Sequence, residues 1–330
     1  MTYLITGATG LVGNNVVRRL LERGQSVRVL VRRDSDPRPL EGLDVERCYG
    51  DVRDAEAVHQ ACRGVSTVVH SAAIVHFGWT GLELQRAVNV QGTEHVAAAA
   101  LEAGARMLHV SSVNALGLGS RSAPADEDTP RRGNVPCTYV VTKQEAEAVV
   151  RSYLERGLDA VTVNPGFMLG PWDWKPSSGR MLLEVATRFT PLAPTGGLTS
   201  CDVRDVVDGL LAACAKGPTG RQYILAGENL TYQQIWNLFA EVSGGGKPWF
   251  RAGPLMRYIG AYGGDVWGWV TGREPDLNSA GVRVSSQFHY YSSARATAEL
   301  GYQPRPFRQS VVDAWAWLVE HGYVRGRSGA

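Results

Sequence analysis

Tyr139 and Lys143 lie four positions apart in the segment YVVTK, a spacing that can support catalysis. On a helix, positions i and i+4 lie on one face, so the ammonium group can sit beside the phenol. A free tyrosine has a pKa of about 10 and is a poor base near neutral pH, whereas a neighbouring positive charge favours the phenolate. The pair is therefore a candidate proton donor with its own tuning charge. The same five residues are also compatible with an ordinary first turn of a helix.

A glycine-rich segment near the N-terminus, TGATGLVG at residues 6–13, follows an apolar run that predicts a strand and opens a predicted helix at 11–23. Glycines at this spacing allow a tight turn, a close approach of the backbone to a pyrophosphate, and close packing of helix on sheet. The helix N-terminus adds free N–H groups and partial positive charge. A plain tight turn is the alternative. We assign as cofactor contacts Gly7, Thr9, Gly10, Leu11, Val12 and Gly13.

The end of the second predicted strand bears on which dinucleotide is bound. An NAD site usually has Asp or Glu there, to bind the ribose hydroxyls. This chain has LVRRD, with Val31 at that position and Arg32 and Arg33 after it. A guanidinium suits a 2′-phosphate, so we predict NADP(H), with Arg32 as the phosphate contact. Asp34 keeps NAD(H) open as the alternative.

Apolar strands alternate with amphipathic helices through the first half of the chain, which predicts an α/β fold with a doubly wound parallel sheet. Residues 1–166 are predicted to form an NADP(H)-binding Rossmann domain. Beyond residue 170 the alternation weakens, and eight of the nine tryptophans occur there. We therefore expect residues 167–324 to be mainly a smaller substrate-binding region, with segments that return to the sheet, and residues 325–330 to be a flexible tail.

Composition narrows the function classes. With 34 basic and 32 acidic residues the net charge is +2, so we expect no nucleic-acid partner. Five cysteines without a CxxC pair favour a reduced, cytoplasmic setting, and the seven histidines show no metal-ligand spacing, so no metal is expected. No signal peptide is predicted. The most membrane-like stretch, 253–272, contains Arg257 and Asp265 and is not expected to span a membrane. Contact of this stretch with a membrane surface stays open.

Seven motifs in a fixed order resemble those of extended short-chain dehydrogenases/reductases: TGATGLVG, GDVRD (50–54), HSAA (70–73), NVQGT (89–93), SSVNALG (111–117), YVVTK and NPGFMLGP (164–171). The C-terminal segments TGREPDLNSAGVR and YYSSARATAELGYQPRPF resemble the branch with dihydroflavonol reductases, 3β-hydroxysteroid dehydrogenases and hopanoid-associated sugar epimerase-like proteins. The resemblance implies that Tyr139 is the general acid/base, and that Lys143 lowers its pKa and holds the nicotinamide ribose. It also implies that Ser112, five residues before Gly117, is the catalytic serine rather than Ser111.

The resemblance further implies that Asn89 supports the lysine and a proton-relay water, with capping or bridging between helix and sheet as the alternative. It places Asp51 and Val52 at the adenine. It places along the rest of the cofactor Ser71, Ala72, Ala73, Pro165, Gly166 and Met168. A largely aromatic substrate pocket is expected, lined by His76, Trp79, Asn114, Phe167, Trp172 and Trp174.

These expectations lead to a main hypothesis, an NAD(P)H-dependent oxidoreductase that interconverts a ketone and a secondary alcohol on a fairly apolar small molecule. The alternative is a nucleotide-sugar epimerase or dehydratase that keeps NAD tightly bound. A non-catalytic dinucleotide sensor is disfavoured, because such a protein usually lacks the tyrosine. From the family we also expect a homodimer through residues 82–103 and 139–156.

Overall fold

The structure is a computed structural model that describes residues 1–275 and 277–324. In chain order its strands are β1 (Thr2–Thr6), β2 (Ser26–Val31), β3 (Glu46–Tyr49), β4 (Thr67–His70), β5 (Arg106–Val110), β6 (Ala160–Pro165), β7 (Phe167–Leu169), β8 (Leu192–Ala193), β9 (Gly197–Asp202), β10 (Gln222–Leu225), β11 (Glu228–Thr231), β12 (Phe250–Arg251) and β13 (Phe288–His289). Its α-helices are α1 (Leu11–Glu22), α2 (Ala55–Cys62), α3 (Leu82–Gln85), α4 (Gly92–Glu102), α5 (Thr138–Leu154), α6 (Ser178–Thr187), α7 (Val203–Lys216), α8 (Tyr232–Ser243), α9 (Pro254–Thr271), α10 (Ser279–Val284), α11 (Ala294–Leu300) and α12 (Phe307–Glu320).

Seven parallel strands form the main sheet, in the order β10-β6-β5-β4-β1-β2-β3. Successive strand residues face opposite sides and both sides are buried. Leu4 of β1 packs with residues of α2, α4 and α5, and Ile5 packs with residues of α1 and α7. Burial on both faces explains why the strands are apolar throughout rather than alternating. The predicted doubly wound α/β fold is confirmed.

The chain reverses its direction of travel across the sheet beside β1, because β2 lies on one side of β1 and β4 on the other. In sheets of this kind a crevice opens at the carboxyl ends of the strands where the order reverses, and ligands bind there. The glycine segment and residues 71–73 both follow strands at that edge. The sheet therefore brings the sequence-predicted cofactor residues to one place.

The predicted helix at 82–103 is helical throughout but irregular. Between α3 and α4, residues Arg86–Gln91 form a π-helical turn. Such turns insert a residue into the helical hydrogen-bond pattern and often occur at functional sites. The turn changes the direction of the side chains before it relative to those after it, and Asn89 lies within it.

The C-terminal half builds a small sheet around β9, which pairs with β7, β11 and β13. Helices α6, α8 and α12 enclose an apolar core beside it that includes Leu182, Phe239 and Val311. Strand β10 returns to the edge of the main sheet, beside β6. The predicted tail at 325–330 lies outside the described residues. Among the helices described, none is both long enough and apolar enough to cross a membrane.

Candidate active site

Ser112, Tyr139 and Lys143 meet at the carboxyl end of β5. The serine follows β5 by two residues, and the other two lie on the first turns of α5. The Ser112 hydroxyl lies near enough to the Tyr139 phenol to lower its pKa, and the Lys143 Nζ donates to the carbonyl oxygen of Val110 at 3.0 Å. All three side chains are buried. The sheet and one helix thus hold a phenol, a hydroxyl and an ammonium group within one small site.

The two neighbouring serines have different partners, so the structure distinguishes them. The Ser111 hydroxyl donates to a carboxylate oxygen of Glu147 at 2.5 Å. The Ser112 hydroxyl instead accepts from the backbone N–H of Asn114 at 3.2 Å and from its amide at 3.2 Å. Ser112 is therefore the serine that faces Tyr139, as its distance from Gly117 predicts, and Asn114 is placed against that serine.

Burial has the largest effect on the pKa values of Tyr139 and Lys143. Burial raises the pKa of Tyr139 to about 12, and the Ser112 hydroxyl only partly opposes this effect. Burial lowers the pKa of Lys143 to about 8, and the Glu147 carboxylate partly opposes this effect. Lys143 is not among the groups that shift the pKa of Tyr139 in the chain by itself, so the expectation that it lowers this pKa stays a prediction. The phenol is neutral near pH 7.

Asn89 connects two segments of the site. Its amide oxygen accepts from the Ile74 N–H at 2.8 Å, and its amide nitrogen donates to the Ile74 carbonyl at 3.0 Å and to the Thr142 hydroxyl at 3.1 Å. Thr142 is the chain neighbour of Lys143. The contacts agree with the bridging alternative, since Asn89 ties the loop after β4 to the helix that carries the tyrosine and lysine.

The glycine segment forms an open cradle in front of α1. Gly7 has φ +73°, and a Cβ there would lie 2.7 Å from the backbone nitrogen of Ala72. A Cβ on Gly13 would lie 2.2 Å from the Gly7 carbonyl oxygen. Gly10 is the N-cap of α1, no side chain caps that end, and the first turn holds no acidic residue. The free N–H groups thus suit a pyrophosphate, and the residues present fit a dinucleotide.

Residues 71–73 support this cradle. The Ser71 hydroxyl donates to the Thr6 carbonyl at 2.7 Å, and Ala72 is the residue against which Gly7 packs. Ala73 continues the same segment. The sequence prediction put these residues along the cofactor, and the structure places them directly beside the glycine turn.

The residues predicted to bind the adenosine end lie at the tips of β2 and β3. The Arg32 side chain is 53% exposed, and its Nε donates to Asp34 at 3.1 Å. The Asp51 carboxylate accepts two hydrogen bonds from the Arg53 guanidinium, each 2.9 Å, and these lower the pKa of Asp51. Val52 is buried, and its carbonyl accepts from His95. A solvent-facing arginine is thus available at this edge, with a carboxylate next to it.

On the other side of the site, Pro165 ends β6 and Gly166 turns the chain into β7. A Cβ on Gly166 would lie 2.6 Å from Thr199 Cγ2, so only glycine allows β7 to approach β9 this closely. Met168 is partly buried against the core on the α1 side of the sheet. Phe167 packs edge-on against Phe307, with ring centroids 6.4 Å apart.

The loop between β4 and α3 covers the tyrosine. Phe77 packs edge-on against Tyr139, with ring centroids 4.9 Å apart. Glu274, from the far end of the chain, fixes this loop: it accepts from the Trp79 N–H at 2.9 Å and lies 3.0 Å from His76 Nε2. The Trp79 indole donates to Ser279 at 2.8 Å. Two of the predicted substrate residues, His76 and Trp79, are therefore held beside Tyr139.

Trp172 and Trp174 have a different environment. Their ring centroids lie 6.0 and 5.1 Å from that of Trp317, and both rings also contact His321. They form part of the C-terminal core with α12. The expectation that these two rings line the substrate pocket is not supported, because an aromatic residue after a strand can equally well fill a core.

Two contributors were missed from the sequence. Glu147 lies one helical turn after Lys143, is 3% exposed, and pairs with Arg131. It also accepts from Asn164 at 2.8 Å, and Asn164 donates to the Ser112 carbonyl at 2.8 Å. The four-residue spacing between Lys143 and Glu147 was the one signal in the sequence for this residue. Glu274 gave none, because it is 198 residues from His76. No group of three or more His, Cys, Asp or Glu side chains within the described ranges could hold a metal ion.

Comparison with known proteins places this geometry in a family. The model of the NAD dependent epimerase/dehydratase family matches residues 3–226. Sterol demethylase protein B of Methylococcus capsulatus is 36% identical over 329 residues, covering 98% of this chain and 100% of that protein. A putative dihydroflavonol 4-reductase of Synechocystis sp. is 35% identical over 338 residues, covering 98% and 96%. The crystal structure of gox2253 superposes with a TM-score of 0.86 at 36% identity, covering 98% and 99%. The chain therefore belongs to the NAD dependent epimerase/dehydratase family of extended short-chain dehydrogenases/reductases and is an NAD(P)-dependent oxidoreductase.

Proposed function

We propose that this protein interconverts a ketone and a secondary alcohol on a largely apolar small molecule, with Ser112, Tyr139 and Lys143 as its catalytic residues and NADP(H) as its preferred cofactor. The observation that carries the proposal is that Ser112, Tyr139 and Lys143 are buried together at the carboxyl end of β5, where Lys143 donates to the Val110 carbonyl. The glycine cradle at α1 would hold the pyrophosphate, Lys143 the nicotinamide ribose, and Arg32 the 2′-phosphate. When bound, the nicotinamide supplies or accepts the hydride.

The residues of the chain account for the proton. With a pKa of about 12, Tyr139 is a neutral phenol near pH 7 and can give its proton to the oxygen of a carbonyl that is being reduced. Ser112 donates a hydrogen bond to the same oxygen and stabilises the negative charge that develops on it. The Lys143 ammonium group, held at the Val110 carbonyl, stabilises the phenolate that remains.

The apolar substrate class is supported by the cover of the site and by the relatives. Phe77 packs on the tyrosine ring, and His76 and Trp79 lie in the same loop. The names of the two relatives refer to a sterol and a dihydroflavonol, both of which are ring compounds with large apolar surfaces. We propose His76, Trp79, Asn114 and Phe167 as the substrate-facing set.

Turnover by a tyrosine variant tests the mechanism. In a screen of apolar ketones with NADPH or NADH, the wild type should consume the cofactor. Tyr139→Phe should lower kcat by about 10²- to 10⁴-fold. Tyr153→Phe, at another buried tyrosine of α5, is the matched control and should change kcat by less than about twofold. Full turnover by Tyr139→Phe would contradict the proposed proton donor.

The same preparation tests the alternative, a nucleotide-sugar epimerase. NAD that stays bound through gel filtration, together with epimerisation of a UDP-sugar without net cofactor consumption, would contradict the proposal and establish that activity. Exchangeable NADPH with consumption on a ketone supports the proposal.

A further inference from the structure

The side of helix α9 that faces away from the rest of the protein is apolar. Its exposed residues include Tyr258, Ile259, Val266, Trp267, Trp269 and Val270, each between 52% and 86% exposed. With about 3.6 residues per turn, these positions and the other exposed apolar residues of the helix cover roughly half of its circumference. No charged residue lies within that half, because Arg257 and Asp265 project from the other side. A continuous apolar surface of this kind marks an interaction site.

The inner side of the same helix is built from small residues. Gly260, Gly264 and Gly268, at four-residue spacing, face residues 273–275 and 277–278. A Cβ on Gly264 would lie 1.7 Å from the Leu277 carbonyl oxygen, and Ala261 is the buried residue of α9. A helix of a water-soluble domain normally turns its large apolar residues inward. In α9 the small residues pack inward instead, and the large apolar residues are therefore left exposed.

The surroundings of α9 carry positive charge. Residues 247–283 hold five basic and three acidic residues, and Lys247, Arg251 and Arg273 are exposed. Two of the acidic residues are engaged within the fold: Asp265 accepts from the Ser279 N–H at 2.9 Å, and Glu274 holds the loop over the tyrosine. Among the described residues of this range, every exposed charged side chain is basic.

We propose that α9 docks on the surface of an anionic lipid bilayer, with its tryptophans and tyrosines at the headgroup level and the flanking basic residues on the lipid phosphates. Interfacial helices combine an apolar face with neighbouring Lys or Arg, and their binding depends on anionic lipid. Trp and Tyr favour this boundary because each has an apolar body and a polar tip.

The docked helix would lie next to the entrance of the active site. Asn278 lies just before α10 and donates to the Phe77 carbonyl at 3.1 Å. Phe77 covers Tyr139. An apolar substrate dissolved in the bilayer would thus have a short path to the tyrosine. This step rests on the proposed function, whereas docking itself does not.

Co-sedimentation with vesicles tests the docking without any turnover. The full chain should sediment with vesicles of phosphatidylcholine plus phosphatidylglycerol, and more weakly with phosphatidylcholine alone or at raised salt. Val266→Asp/Val270→Asp should lower the partition coefficient by about tenfold or more, since it removes two apolar contacts and adds two negative charges. Val312→Asp/Val319→Asp in α12, at valines 43% and 48% exposed, is the matched control and should leave partition unchanged. Thermal unfolding shows whether each variant is folded.

Three results would overturn the proposal. The wild type could stay in the supernatant with both vesicle types, or the Val266/Val270 variant could sediment as well as the wild type. Thirdly, the wild type could fail to bind vesicles and form a dimer that this variant dissociates, which would assign the face to a second copy of the chain. If the wild type binds vesicles but reduces none of the ketones, the proposed function is refuted and the docking proposal is unaffected.

Discussion

Glu274 offers the sharpest test of how the loop over the tyrosine is held. Its side chain is 9% exposed. Burial raises its pKa, but hydrogen bonds from Thr80, Trp79 and His76 outweigh burial and lower the pKa from 4.5 to about 2. A difference of this size corresponds to about 3 kcal/mol of folding free energy when the carboxylate is ionised. We expect Glu274→Gln to lower the free energy of unfolding by up to this amount at neutral pH.

The pH dependence of that difference has a defined sign. A carboxyl group whose pKa is depressed in the folded state contributes its stability above the unfolded pKa of 4.5 and loses it as the pH falls towards 2. By about pH 3.5 roughly 1.4 kcal/mol should be lost from the wild type and not from Glu274→Gln. Urea unfolding at several pH values measures both quantities.

A matched control is available on the surface. Glu83 is 90% exposed and 3.5 Å from Arg86, so Glu83→Gln should change stability by less than about 0.5 kcal/mol. The reasoning is refuted if Glu274→Gln costs under about 1 kcal/mol at neutral pH, or if its difference from the wild type stays constant down to about pH 3.5.

Three further changes follow from the geometry. Gly13→Ala puts a Cβ against the Gly7 carbonyl, so cofactor titration should show weaker binding and thermal unfolding a loss of about 1–3 kcal/mol. Arg32→Ala should weaken NADPH binding about tenfold and leave NADH binding unchanged, measured by fluorescence titration; equal effects on both would remove Arg32 as the phosphate contact. Glu147→Gln removes a buried carboxylate that pairs with the exposed Arg131 and accepts from Ser111 and Asn164, and it should cost about 1–3 kcal/mol in urea unfolding. The same change should lower the pKa of Lys143 further, since Glu147 opposes the effect of burial there.

The sequence alone predicted those features of the fold and the site that depend on spacing along the chain. The glycine cradle, the parallel sheet and the Tyr139–Lys143 pair each follow from a local pattern, whereas the choice of Ser112 over Ser111 was implied by the family resemblance. These features lie within single strand–turn–helix segments. Their geometry is set by residues a few positions apart, so local physical rules reach them.

The remaining features depend on contacts between distant segments. Trp172 and Trp174 were expected in the pocket, but their partners on α12 are more than 140 residues away and draw them into a core. The pKa of Tyr139 depends on how much protein buries it, which spacing cannot give. The outward apolar face of α9 depends on the packing of its glycines against residues 273–275 and 277–278, which the helix sequence alone does not give.

Trp172 also joins the two halves of the molecule. It has φ +69°, a strained value for a residue with a side chain, and its ring lies 3.3 Å beneath the Arg18 guanidinium of α1. One residue earlier, the Pro171 carbonyl accepts from Asn15 at 3.0 Å. The helix whose N-terminus forms the cradle is thus fastened along its side to the C-terminal core. These two contacts therefore set the position of the cradle relative to the C-terminal core.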